Sequence, residues 1–313
     1  MNTYRYEMLR LQAACSEKGP LCVGLDTDPT YMPPEVLRMY GSPAQAVLAY
    51  NEALVSATAS SAACFKVQIA YYEALGLEGL SVYARTLALV RQAKIPVIAD
   101  IKRGDIADTA KAYARAHFSG DFEADIITLN PYMGFDTLEP FLEYVDSSGK
   151  GAFVLLRTSN PGMKDIEWLE LACGVSPSGT PPRVLDAVGA GLLSLSSRFG
   201  NADCAPFGVV VGCTEEADAR ALRDRYPGLF FLIPGYGAQG GAARIAATLL
   251  DRAGGTVNSS RGILTAWKKD PLLEIKRASQ SLTLTDIAES AGRAAFASKA
   301  ELLSAVKQLG AES

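Results

Sequence analysis

The chain has 313 residues, 49% of them hydrophobic, and a formal net charge of −4. That suits one large domain with a sizeable core, and the balanced charge leaves no basic footprint for nucleic acid. With one histidine (His117) and six cysteines, none in a CxxC pair, the composition speaks against a histidine-based triad, a multi-histidine metal site or a disulfide framework.

The first segment, MNTYRYEMLRLQAACSEKG, is polar and charged early and carries no apolar leader pattern. No later run reaches the roughly 18 apolar residues of a membrane span, so a cytoplasmic protein with reduced thiols is expected. Strand-like runs then alternate with helical patterns along the chain. LCVGLD (21–26) precedes a helix over 43–59, CFKVQ (64–68) one over 71–92, and PVIAD (96–100) one over 106–118. ADIITLN (124–130), AFVLLRT (152–158) and FGVVVG (207–212) lead into helices over 136–145, 183–199 and 215–225. LFFLIPG (229–235) and TVNSSRGI (256–263) are followed by 242–253 and 284–309.

Continuous apolar strands separated by helices indicate parallel strands covered by a helical layer. Eight such units predict a (β/α)8 TIM barrel over 1–313 as one domain. A doubly wound open sheet is the alternative, weakened because no GxGxxG follows the first strand. The stretch 159–182, with CGVSPSGTPPR inside it, is expected as a loop insertion over the barrel mouth.

Five successive strands end in polar residues: Asp26, then Lys66 and Gln68, then Asp100 and Lys102, then Asn130, then Thr158 and Ser159. In this barrel all such ends meet at one mouth, where active sites are built. Asp100 and Lys102 are two apart and share a strand face, as do Lys66 and Gln68. Alternating carboxylates and ammoniums would hold each other ionised. After strand 7, PGYGAQGG (234–241) lets backbone N–H groups approach an anion ahead of a helix start. NSSRG (258–262) ends strand 8 with Arg261, a forked donor suited to phosphate. The loops after strands 7 and 8 are the usual phosphate site of the fold.

With these pieces in place, the sequence resembles the orotidine 5′-phosphate decarboxylase family over about residues 20–265. The family's Asp-x-Lys-x-x-Asp appears as DIKRGDI, supported by GLDTDP, FKVQIAYYEALG, TLNPYMGFDTLEPF, LRTSNPG, VVGCT and IPGYGAQGG. The length and wording look like the longer bacterial branch, with Cys213 a minor departure. The resemblance implies cofactor-free and metal-free conversion of orotidine 5′-phosphate to UMP in pyrimidine biosynthesis. It makes Lys102 the proton donor to C6, with Asp100 beside the substrate carboxylate and Lys66 between the two aspartates and the ribose. Asp26 would bind ribose hydroxyls and Ser159 the pyrimidine edge, with Gln68 and Thr158 among the substrate contacts. Gln239 and Arg261 would hold the phosphate, aided by the backbone of Gly235, Gly240 and Ser260. Asp105, Ile106 and Thr109 would come from the other subunit of a homodimer. Three alternatives stay open: a Mg²⁺-dependent sugar-phosphate relative using Asp26 and Asp28, a Schiff-base aldolase, and a non-catalytic nucleotide-binding module.

Overall fold

The structure is a computed structural model that describes residues 4–172, 181–199, 205–235 and 242–312. Eight parallel strands close into a barrel in sequential order, the last pairing with the first. They are β1 (Leu21–Gly24), β2 (Cys64–Gln68), β3 (Val97–Arg103), β4 (Ile126–Leu129), β5 (Gly151–Arg157), β6 (Phe207–Val211), β7 (Phe231–Ile233) and β8 (Gly255–Ser259). The longer helices are α1 (Glu7–Lys18), α2 (Pro43–Thr58), α3 (Gly76–Gln92), α4 (Ala107–Phe118), α5 (Glu139–Ser148), α6 (Val184–Ser196), α7 (Glu216–Arg225), α8 (Ala242–Leu250) and α9 (Leu284–Glu312). The expected (β/α)8 barrel is therefore the fold. Among the described residues no helix is long and apolar enough to cross a membrane.

The strands read as unbroken apolar runs because both faces are buried, one in the barrel and one under the helices. Inward-facing residues two apart form columns. Cys22, Cys64, Ile98, Ile126, Phe153, Val210 and Leu232 fill the lower barrel as one apolar cluster. Two residues further along, the columns of β2, β3 and β4 reach Lys66, Asp100 and Thr128, all buried. The interior thus changes from apolar to charged along each strand, toward the C-terminal ends.

Helix boundaries follow local chemistry. At α2, Ser42 accepts the Gln45 N–H at 3.2 Å and Pro43 occupies the first turn. At α9, Thr283 and Asp286 cap each other reciprocally, each side chain accepting the other's backbone N–H.

The polar N-terminal segment is more than a surface tail. It forms α1, whose Met8 and Leu11 join the apolar cluster inside the barrel and plug its lower end. Within the 159–182 stretch, a short 3-10 turn (Pro161–Asp165) is followed by Trp168. The Trp168 ring is faced by Arg157, Lys164 and Arg183. Glu170 and Arg183 then bridge the two ends of the excursion.

Arg223 on α7 is the largest fully buried side chain among the described residues. It donates to the carbonyls of Leu249, Tyr226, Leu229 and Gly254 at 2.9–3.2 Å, and its guanidinium lies 3.5 Å from the Phe231 ring centroid. One planar fork thereby ties α7, α8 and the approaches to β7 and β8. Arg223→Met keeps the volume but strands those acceptors. It should cost about 3 kcal/mol or more in chemical denaturation, and a loss under about 1 kcal/mol would remove this role.

Candidate active site

The charged layer at the barrel mouth is one connected network. Lys66 of β2 bridges two carboxylates, with Nζ 2.8 Å from Asp26 Oδ1 and 3.0 Å from Asp100 Oδ2. Lys102 Nζ lies 2.6 Å from Asp100 Oδ1. Gln68 Nε2 donates to Asp100 Oδ2 at 3.0 Å, and Thr128 Oγ1 donates to Asp100 Oδ1 at 2.8 Å. On the other side, Ser260 Oγ donates to Asp26 Oδ2 at 2.8 Å and receives Asn258 Nδ2 at 3.0 Å. Gly24 permits this crossing from β8 to β1, since a Cβ there would collide with Ser260 Oγ and Asn258 Oδ1.

Asp100 is 6% exposed and Lys66 5% exposed. Burial works to raise the Asp100 carboxyl, but the Lys66 and Lys102 ammoniums outweigh it and hold it below the ordinary carboxylate range. Burial likewise works to lower Lys66, and Asp100 and Asp26 outweigh it, so its ammonium titrates above the ordinary lysine range. Both groups stay charged at neutral pH. The Asp100 contribution to stability is present above its ordinary pKa and lost as pH falls through the depressed value. The Lys66 contribution is present below its ordinary pKa and lost as pH rises through the raised one.

Asp100 and Lys102 do meet, but regular strand alternation is not the cause. Between the pairs Ala99–Ile127 and Arg103–Leu129 the register of β3 against β4 shifts, and Lys102 sits at φ +45°. A bulge brings the ammonium back over the carboxylate. Two cavity lobes open there, sharing Lys66, Asp100, Lys102, Pro234 and Asn258. The polar lobe, about 460 Å³, also has Asp26, Gln68, Gly235, Ser260 and Arg261 on its wall. The other, about 360 Å³, presents Leu155, Val210 and Leu232 beside Thr128, Thr158 and Ser159. The first suits a hydroxylated, anionic group; the second suits a flat ring with polar edges. Lys102, whose side chain is 44% exposed, stands at their junction.

The structure thus brings together Asp26, Lys66, Gln68, Asp100, Lys102, Thr158, Ser159, Gly235, Ser260 and Arg261 from the sequence-based expectation. Asp105, Ile106 and Thr109 line neither lobe. The Asp105 carboxylate accepts its neighbour Ile106's N–H at 2.8 Å, and the Ile106 side chain is exposed at the start of α4. Gln239 and Gly240 lie outside the described residues. Asp28 caps the turn at Pro29–Tyr31 through Thr30. Among the described residues no group of three or more His, Cys, Asp or Glu is placed to hold a metal ion.

Sequence reading missed Thr128, Asn258 and Glu167. The first two were within reach, since they occupy the inward columns of β4 and β8. Glu167 was not: its carboxylate accepts the Thr158 N–H at 3.0 and 3.2 Å from inside an irregular stretch.

Comparison with known proteins bears on this site directly. The sequence model of the Orotidine 5'-phosphate decarboxylase / HUMPS family matches residues 19–175. An orotidine 5'-phosphate decarboxylase of Clostridium acetobutylicum is 48% identical over 263 residues, 83% of this chain and 90% of the relative. One from Clostridium perfringens is 50% identical over 254 residues, covering 80% and 86%. Among solved structures, Leishmania donovani OMP decarboxylase superposes with a TM-score of 0.65 at 30% identity, over 93% of this chain and 98% of that one. The Plasmodium berghei enzyme, at 15% identity, shares the fold with a TM-score of 0.73 over 97% and 99%. With the clostridial relatives aligned at close to half identity over most of both chains, this chain belongs to the orotidine 5'-phosphate decarboxylase / HUMPS family.

Proposed function

We propose that this chain converts orotidine 5′-phosphate to UMP and CO₂ without a cofactor, with Lys102 protonating C6 of the pyrimidine. Family membership makes it an enzyme, a carboxy-lyase of pyrimidine biosynthesis. The observation that carries the finer reading is the placement of Lys102, 2.6 Å from a buried carboxylate and at the junction of the two lobes.

The pyrimidine occupies the apolar lobe with its edge on Ser159 and Thr158. Ribose hydroxyls meet Asp26, Lys66 and Gln68, and the phosphate meets Arg261 with the backbone at Gly235 and Ser260. The substrate carboxylate arrives beside Asp100. All four acceptor positions of Asp100 already hold donors, so it meets the substrate as a full anion and favours CO₂ leaving. The C6–carboxylate bond breaks, its electron pair stays on C6, and the Lys102 ammonium stabilises that charge at close range. A proton then passes from Nζ to C6, and Lys102 recovers one from solvent. Phosphate binding, remote from the reacting bond, supplies energy for organising the site. The chain acts as a single barrel domain in a cytoplasmic homodimer. Asp105, Ile106 and Thr109 complete the partner's site, which accounts for their position away from both lobes.

Purified protein should deplete orotidine 5′-phosphate absorbance equally with and without EDTA, and Lys102→Ala should abolish this while UMP still binds. EDTA inhibition or near-normal turnover of the variant would overturn the assignment. Arg261→Ala should weaken UMP by about 2 kcal/mol or more if a desolvated charge pair is lost, leaving uridine affinity unchanged. Equal wild-type affinity for UMP and uridine would sink the phosphate site. Mixing inactive Lys102→Ala and Asp105→Ala proteins should restore about a quarter of wild-type activity, because half the dimers form one intact site in two. No recovery after verified subunit exchange would place Asp105 outside the shared site.

A further inference from the structure

Thr128 is fully buried on β4, opposite the bulge in β3. Between the flanking pairs, β3 inserts Asp100, Ile101 and Lys102 where β4 has Thr128 alone. The N–H groups of Ile101 and Lys102 both donate to Thr128 Oγ1, each at 2.9 Å. A hydroxyl has two acceptor positions and one proton. With both acceptors filled by backbone, its proton is committed to Asp100 Oδ1, 2.8 Å away. One oxygen therefore fixes the backbone of the residue proposed to deliver the proton, holds that residue's left-handed φ of +45°, and orients its carboxylate partner. No hydrogen-bonding capacity is left for a ligand, although the residue borders the apolar lobe.

We propose that Thr128 is a positioning residue for proton delivery, acting only through the β3 bulge, Asp100 and Lys102. This rests on the functional reading above, and it concerns the rate of the chemical step rather than affinity. A displacement of about 1 Å at a reacting group can cost on the order of 100-fold in rate. Thr128→Val deletes the hydroxyl at nearly constant volume. It should lower kcat for orotidine 5′-phosphate about 100-fold with KM and UMP affinity changed less than about threefold. Thr128→Ser, which keeps the hydroxyl, should restore kcat to within about threefold of wild type.

A second readout does not need turnover. Lys102 pinned to Asp100 should react slowly with formaldehyde and borohydride, and Thr128→Val should speed its methylation, followed by peptide mass spectrometry, with exposed Lys111 unchanged. If Thr128→Val does not fold, Thr128→Cys, with longer and weaker contacts from sulfur, should show the same kinetic split and the same faster labelling. Unchanged Lys102 labelling, a KM effect without a kcat effect, or a serine variant as impaired as valine would each overturn the proposal. A wild type that labels as described yet leaves orotidine 5′-phosphate unconsumed would instead overturn the functional reading, leaving only the structural hold of Thr128 on Lys102 and Asp100.

Discussion

Burying the Asp100 carboxylate at the end of β3 costs several kcal/mol of hydration unless donors replace the lost water. Lys66 and Gln68 from β2, Lys102 from β3 itself and Thr128 from β4 supply four of them. Much of the mouth follows from that requirement. Lys66 must be an ammonium, and once buried it needs a second carboxylate, which Asp26 provides. Asp26 in turn is steadied by Ser260 and Asn258, reaching across a strand that has glycine at Gly24. Removing any member leaves a charge in a dry place, so the array is held as a unit.

The barrel separates this polar layer from the interior that supports it. The same inward columns that carry Cys64, Ile98 and Ile126 below carry Lys66, Asp100 and Thr128 above. The lower layer is close-packed and rigid, and that rigidity fixes the charged groups to within the tolerance chemistry needs. The two lobes diverge from a common floor, so one ammonium can face a ring on one side and a polar, anionic tail on the other.

Much of this was legible in the chain. A strand buried on both faces shows itself as an unbroken apolar run, and a polar residue closing such a run marks the mouth, which is how Asp26, Lys66, Asp100 and Ser159 stood out. The bulge was not legible. DIK reads as ordinary alternation, and the deviation depends on Thr128, far along the chain, and on a left-handed lysine that no local propensity favours. Nor was α1: Met8 and Leu11 make too thin an apolar stripe to suggest burial until a barrel exists to receive them. Glu167 lies in a stretch without periodicity, so nothing in its spacing tied it to Thr158.

The plug at the lower end has a consequence for how the chain reaches this structure. The apolar surface that Met8 and Leu11 fill is contributed by residues from Cys22 on β1 through Leu232 on β7. A growing chain displays α1 before any strand of the barrel, yet its seat is complete only after some two hundred further residues have left the ribosome, at roughly 5–20 residues per second. For that interval, many seconds long, this helix lacks a complete seat. β1 waits longer still, since its partner β8 follows β7, and the charges of α1, Glu7, Arg10, Glu17 and Lys18 among them, keep that helix hydrated meanwhile.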